Sequence, residues 1–199
     1  MKTTPPRPSD HNTPPPTRTA LRHRLRARRR ALSAAEQRTA ADALNRLFGR
    51  SALFHRSRHI AFYLSNDGEL DTAPLMHRAW AMGKVCYLPV ITPGRRLWFA
   101  PYAAGDELVT NRYGIPEPAA GGLIGARQLD LILAPLVAFD DHGHRLGMGG
   151  GFYDRSLSFL RHRRVWRKPR LIGIAHQLQR VERLATAAWD VPLDGVATD

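Results

Sequence analysis

The sequence predicts one α/β domain, a mostly parallel sheet with helices on both faces in three layers. Two observations carry this. Short apolar runs that read as strands alternate with segments of helical period, and the longest run, residues 129–139, is too apolar to leave one face in water. The length agrees, since 199 residues suffice for one real core but not comfortably for two.

In chain order, residues 1–17 set Pro5, Pro6, Pro8, Pro14, Pro15 and Pro16 among polar residues, with too little apolar surface to offset ordering, so a disordered tail is expected. The domain then begins at residue 18. Over 18–32, Leu21, Leu25 and Leu32 recur at helical spacing with Arg between them, which gives a helix with a narrow apolar stripe. Ser33 and Glu36 form a capping box for a second helix running to about Gly49, with Leu44, Leu47 and Phe48 on its buried face. Residues 60–64 read as a buried strand ending in the Ser-Asn-Asp-Gly turn at 65–68. A helix follows, capped by Asp71 or Thr72, with Pro74 in its first turn, Leu75, Met76, Ala79 and Trp80 on one face, and Gly83 as its stop. Residues 85–89, 97–102, 129–139 and 171–175 read as further strands, with 129–139 central and a last short strand near Val196. Residues 152–163 read as a helix.

Composition narrows the function. Thirty Lys and Arg against seventeen Asp and Glu leave a formal charge of +13, which points to an anionic partner. Residues 18–30 hold seven Arg and 161–170 hold six Lys or Arg, both without acids, so the whole excess sits in two clusters on a neutral body. That pattern suits a local phosphate site at least as well as a nucleic-acid-coating face. Lys is scarce, so part of the Arg content also fits a GC-rich genome. Cys86 is the only cysteine, which excludes an intramolecular disulfide and a Cys-based zinc cluster. No apolar run approaches the roughly 18 residues needed to span a bilayer, and no secretory signal is visible. A cytoplasmic protein without a membrane partner is expected, although the Arg-rich, acid-poor start also matches a mitochondrial transit peptide.

The segment 140–155, DDHGHRLGMGGGFYDR, carries the sharpest chemistry. Gly147, Gly149, Gly150 and Gly151 follow the central strand and open a helix, so unhindered backbone N–H groups converge where α/β sheets bind ligands. Such a nest favours an anion. The spacing is neither the dinucleotide fingerprint, since Phe152 stands at its sixth position, nor a P-loop. On residues alone a simple tight turn is the competing reading. His142 and His144 read as exposed loop histidines, because no third ligand of the right kind lies near them in sequence.

RLGMGGGFYDR resembles the signature of the 5-formyltetrahydrofolate cyclo-ligases, also called methenyltetrahydrofolate synthetases. YLSNDGELDT at 63–72, GIPEP at 114–118, LDLILAPLVAFD at 129–140 and WDVPLDGVAT at 189–198 are similar to other segments of that family, in the same order. The resemblance implies ATP- and Mg²⁺-dependent conversion of 5-formyltetrahydrofolate to 5,10-methenyltetrahydrofolate with release of ADP and phosphate. ATP would phosphorylate the formyl oxygen, N10 would close the ring, and phosphate would leave. By the same resemblance, Arg18, Arg22, Arg145 and the loop Leu146, Gly147, Met148, Gly149, Gly150, Gly151, Phe152 and Tyr153 would bind ATP. Asp154 and Asp194 would hold Mg²⁺, with Asp190 near enough in sequence to be mistaken for the second acid. Glu69 would accept hydrogen bonds from the pterin ring. Trp98, Phe152 and Tyr153 would wall the substrate, whereas Phe139 reads as core. Met148 and Gly150 stand where many relatives carry a basic residue, and Phe152 where Tyr is common. A monomer with no nucleic-acid partner is expected; a basic nucleic-acid-binding protein and an inactive folate-binding homologue are the alternatives.

Overall fold

The computed structural model describes residues 17–119, 121–162 and 168–199. The proline tail up to residue 16 and part of the 161–170 cluster lie outside them. Thr17, assigned by sequence to the tail, instead caps the first helix, its hydroxyl accepting the Ala20 N–H at 3.2 Å.

Helices α1 (Arg18–Arg30), α2 (Ala34–Leu47) and α3 (Ala52–Arg56) precede strand β1 (His59–Ala61), and α4 (Ala73–Ala81) follows it. Strands β2 (Val85–Thr92) and β3 (Arg96–Pro101) form a hairpin, and β4 (Leu108–Thr110) and β5 (Pro116–Pro118) form a ribbon beside it. Then come β6 (Leu131–Pro135), the short ribbon β7 (Ala138–Phe139) and β8 (Arg145–Leu146), α5 (Phe152–Ser156), β9 (Arg170–Ile174) and β10 (Gly195–Ala197). The main sheet has the order β10-β9-β6-β1-β2-β3, and every neighbouring pair in it is parallel except β2 with β3. The expected mostly parallel α/β sheet and its central position for residues 131–135 are both found.

Alternation along the strands builds two cores. Ile60, Phe62, Leu131, Leu133, Ile172 and Ile174 meet Leu44, Phe54, Leu75 and Met76 of α2 to α4 on one face. Ala61, Ile132, Ala134 and Leu171 meet Leu157 and Leu160 on the other. Each fully buried Leu or Phe contributes about 1.5–3 kcal/mol by leaving water. Cys86 lies in the first core, where burial pushes its thiol pKa up to about 12, so it is an inert packing residue.

The capping box at Ser33 forms as expected: Ser33 Oγ accepts the Glu36 N–H and Glu36 Oε2 accepts the Ser33 N–H at 2.8 Å. Asp71 rather than Thr72 caps α4, through the Ala73 N–H; the Thr72 hydroxyl donates to the Tyr63 carbonyl instead. Four expectations are corrected. Leu47, placed on the buried face of α2, is 60% exposed because the helix gives way there to a 3-10 turn. The buried stripe of α1 is Leu21, Leu25 and Arg29, since the helix ends before Leu32. The run 129–139 splits into β6 and β7, which belong to different sheets. The helix expected over 152–163 stops at Ser156 and continues as a 3-10 turn over Ser158–His162. Among the described residues no helix is long and apolar enough to cross a membrane.

Candidate active site

The chain enters the sheet at β1, moves outward through β2 and β3, then returns to β6 on the other side of β1 and moves outward again through β9 and β10. The strand order therefore reverses between β1 and β6. Loops leaving the carboxyl ends of two such strands part in opposite directions and leave a crevice, the usual ligand position in open α/β sheets. Here those loops carry Glu69, after β1, and the glycine run, after β6 and the β7–β8 ribbon.

Helix α1 packs across this end through Leu21 and Leu25, which meet Val137, Ala138, Leu146 and Leu184. Five of its arginines consequently reach partners in the body. Arg18 pairs with Asp190 at 3.0 Å, and Arg22 Nε donates to the Gly147 carbonyl at 2.8 Å. Arg26, Arg29 and Arg30 all reach Asp67. Five of the seven helix arginines are thus bound to the body, a different use of charge from a nucleic-acid-coating face. Arg24 and Arg28 are exposed.

The glycine loop is held by its carbonyls, with Arg22 on Gly147 and Arg155 on Gly150. No hydrogen bond among the described residues uses the backbone N–H groups of Gly147 to Gly151, which leaves a row of donors for an anion. Gly149 (φ +105°) and Gly151 (φ +64°) occupy backbone conformations that L side chains rarely adopt, and a Cβ on Gly150 would sit 2.5 Å from the Phe152 ring. Because α5 has only five residues, the loop's own N–H groups, more than a helix dipole, provide the anion cradle.

Arg145 is buried. One guanidinium nitrogen donates to the Val191 carbonyl and the other to Asp154 Oδ1 at 2.6 Å, so this arginine fixes Asp154 from below and does not project into solvent. Asp154 Oδ1 also accepts the Val191 N–H at 3.1 Å, while its Oδ2 makes no hydrogen bond among the described residues. Burial pushes the Asp190 carboxyl up, but bonds from Arg18 and the Ala187 N–H outweigh it and lower its pKa. Burial and then the like charge of Arg18 lower the pKa of Arg22, as expected where several guanidinium groups meet few acids.

Glu69 faces the other wall, with Oε2 accepting the Asn66 N–H at 3.2 Å and Oε1 lying 3.6 Å from Arg29. Burial raises its pKa, an effect that Arg29 opposes. Its negative charge, after burial, raises the pKa of Tyr153 and also acts on Tyr63, which places both phenols near it as neutral O–H groups. Phe152 packs edge-on against Tyr113 at 5.8 Å.

The structure does not gather every residue that the sequence singles out. Asp194 has its two oxygens on Arg170 and the Leu171 N–H, lines a surface hollow with His142 and Arg180, and is not brought to Arg145 and Asp154. Asp190 stands there instead, joined to Arg18. Trp98 is 42% exposed on β3, on the strand face opposite Leu97 and Phe99, which pack with Phe152 and Tyr153. Phe139 is core, as expected. His142 is exposed, but His144 is only partly so, its ring bonded to Asp140 at 2.9 Å. Among the described residues no three His, Cys, Asp or Glu side chains cluster as a metal site.

Comparison with known proteins decides the family. The model of the 5-formyltetrahydrofolate cyclo-ligase family matches residues 15–199. This chain belongs to that family. It is 42% identical over 179 residues to the 5-formyltetrahydrofolate cyclo-ligase of Escherichia coli (strain K12), covering 87% of this chain and 96% of the relative. The Haemophilus influenzae cyclo-ligase is 41% identical over 184 residues, covering 88% and 92%. The solved structure of the 5,10-methenyltetrahydrofolate synthetase of Aquifex aeolicus superposes with a TM-score of 0.77 at 32% identity, covering 90% of this chain and 88% of that one. In this fold Arg29 links the two loops, its Nη2 lying 3.6 Å from Glu69 and 3.9 Å from Met148 Sδ of the glycine loop.

Arg29, Asp67, Asp190 and Tyr63 were missed as site residues by sequence reasoning. The signal for Arg29 was present: it continues the Leu21 and Leu25 spacing by four. The Asp67–Gly68 turn against which it packs is tight, because a Cβ on Gly68 (φ +73°) would meet the Arg29 carbonyl at 2.9 Å. Gly68→Ala is therefore expected to cost about 2 kcal/mol and lower the unfolding midpoint by roughly 4–8 °C in thermal melts.

Proposed function

We propose that this protein converts 5-formyltetrahydrofolate to 5,10-methenyltetrahydrofolate, with ATP as co-substrate and Mg²⁺ as its metal. The observation that carries this reading is the row of unused N–H donors at Gly147 to Gly151 beside Arg22 and Asp154, directly across the switch point from Glu69. The loop from Leu146 to Tyr153, Arg18 and Arg22 would receive the phosphates, and Arg145 would act from beneath by fixing Asp154. With Met148 and Gly150 uncharged, cationic contact rests on the helix arginines.

The formyl oxygen of an amide is a poor leaving group; phosphorylation by ATP, with loss of ADP, makes it a phosphate ester. N10 then attacks the formyl carbon and loses its proton, and the original oxygen departs with phosphate. Such a sequence requires positioning and charge neutralisation more than covalent help from the protein. Glu69 would accept hydrogen bonds from the pterin's adjacent N–H and amino groups, holding the ring so that the formyl oxygen points at the glycine loop. Phe152 and Tyr153 would flank the ring, whereas Trp98, on the opposite face of β3, has no part in this reading. The open Oδ2 of Asp154 would suit a hard cation, which would supply charge neutralisation for the phosphates. Asp194 enters as a second acid only by leaving Arg170; in the present arrangement Asp190 is the acid beside Arg18.

Arg22→Met separates the nucleotide side from the folate side. One charge-assisted contact is worth about 1.5–3 kcal/mol, so the KM for ATP is expected to rise about tenfold or more. The KM for 5-formyltetrahydrofolate should stay within about twofold, as initial rates at varied ATP and varied folate will show.

A further inference from the structure

On one face of α1 stand Leu21, Leu25 and Arg29, and only the third is charged. Arg29 is 0% exposed. Its Nε donates to the Asp67 carbonyl at 2.8 Å, Nη1 to the Leu136 carbonyl at 3.2 Å, and Nη2 to the Asp67 carboxylate at 2.9 Å. The same Nη2 lies 3.6 Å from Glu69 Oε1 and 3.9 Å from Met148 Sδ. One buried cation therefore touches the loop leaving β1, the chain leaving β6 and the glycine loop, the three segments that border the crevice. Burying a guanidinium carries a large desolvation cost, and an apolar side chain would pack the same face, so a structural role alone does not account for the charge.

The groups facing Glu69 are Arg29 and Arg26 of α1, Asp67 of its own loop, and the phenols of Tyr63 and Tyr153. We propose that Arg29 is a positioning residue for folate binding, which keeps the Glu69 carboxylate ionised and aimed across the switch point while tying its loop to the glycine loop. The proposal rests on the reading of Glu69 as the pterin's acceptor. Its physical basis is the opposition noted above: burial favours protonated Glu69, and Arg29 is the strongest influence against it.

Calorimetric titration of 5-formyltetrahydrofolate into the nucleotide-free protein, from about pH 5 to 8, is the test. Arg29→Met is expected to weaken binding about tenfold near neutrality and to move the acid limb of affinity up by about one pH unit. Arg29→Lys, which keeps the charge without the fork, should lose part of the affinity yet keep the wild-type acid limb. In a Glu69→Gln background, Arg29→Met should change affinity by less than about twofold. Asp67 retains Arg26 and Arg30 when Arg29 is replaced, so that carboxylate keeps its partners while Glu69 loses its nearest cation, and circular dichroism reports the folded fraction. A folded Arg29→Met protein with wild-type affinity and acid limb overturns the proposal, leaving Arg29 a strut. Should Arg29→Met not fold, Arg29→Lys decides: weakened binding with an unmoved acid limb supports the proposal, and wild-type affinity overturns it. Unchanged binding by Glu69→Gln alone is a separate result, which removes the reading of Glu69 and this proposal with it.

Discussion

Asp154→Asn is expected to lower the rate of methenyl product formation about a thousandfold, with the protein still folded. Asparagine keeps an oxygen that accepts from Arg145 and the Val191 N–H, so the framework under the glycine loop persists. What it removes is the negative charge of a carboxylate whose Oδ2 has no hydrogen-bond partner among the described residues. A hard cation binds an amide oxygen far more weakly than a carboxylate, and the transferring phosphoryl group then loses its neutralising partner. The apparent Mg²⁺ requirement should rise together with the fall in rate. Initial rates at varied Mg²⁺, read by the near-ultraviolet absorbance of the methenyl product, provide the check; an unchanged rate would remove Asp154 from the metal site.

Glu69→Gln carries the second large effect, an expected fall of about 100- to 1000-fold in kcat/KM for 5-formyltetrahydrofolate. Loss of one charge-assisted hydrogen bond from the pterin and weakening of the other, together about 3–4 kcal/mol, give that magnitude. Glutamine also presents an NH₂ group, which opposes one of the ring's donors instead of accepting from it. The KM for ATP should move little, because Glu69 belongs to the loop after β1 and the nucleotide contacts proposed above lie on α1 and the loop after β8. Equal loss in both substrates' KM would point to general damage at the switch point rather than to a lost pterin contact.

The sheet was legible because its signals are local. Apolar runs of strand length, the Ser33 capping box and the glycine breaks at 68, 83 and 147–151 each act within a few residues, and together they dictate the alternation that builds a parallel sheet. The glycine loop was legible for the same reason. What escaped depends on distance along the chain. Arg29 and Asp67 meet across 38 positions, and Arg18 and Asp190 across 172, so apart from Arg29's place four residues after Leu25 nothing near α1 in sequence marks which arginines turn inward. Seven Arg in thirteen residues read as a solvated or phosphate-facing surface, whereas tertiary packing pulls Arg29 into the apolar stripe. Asp194 shows the converse limit: its motif matches, yet Arg170, 24 positions away, takes its carboxylate. The helical period was extended through Gly49, but α2 closes at Leu47, which is 60% exposed, and the chain continues as a 3-10 turn.

The loop over residues 147–151 and the Glu69 turn, on either side of the switch point, are expected to bring ATP and 5-formyltetrahydrofolate together. Purified protein with 5-formyltetrahydrofolate, assayed with and without ATP and with and without Mg²⁺, tests it most directly. Methenyl absorbance is expected to grow only when all three are present, with one ADP formed per methenyl group. Absence of that absorbance in the complete mixture, or its growth without ATP, would contradict it.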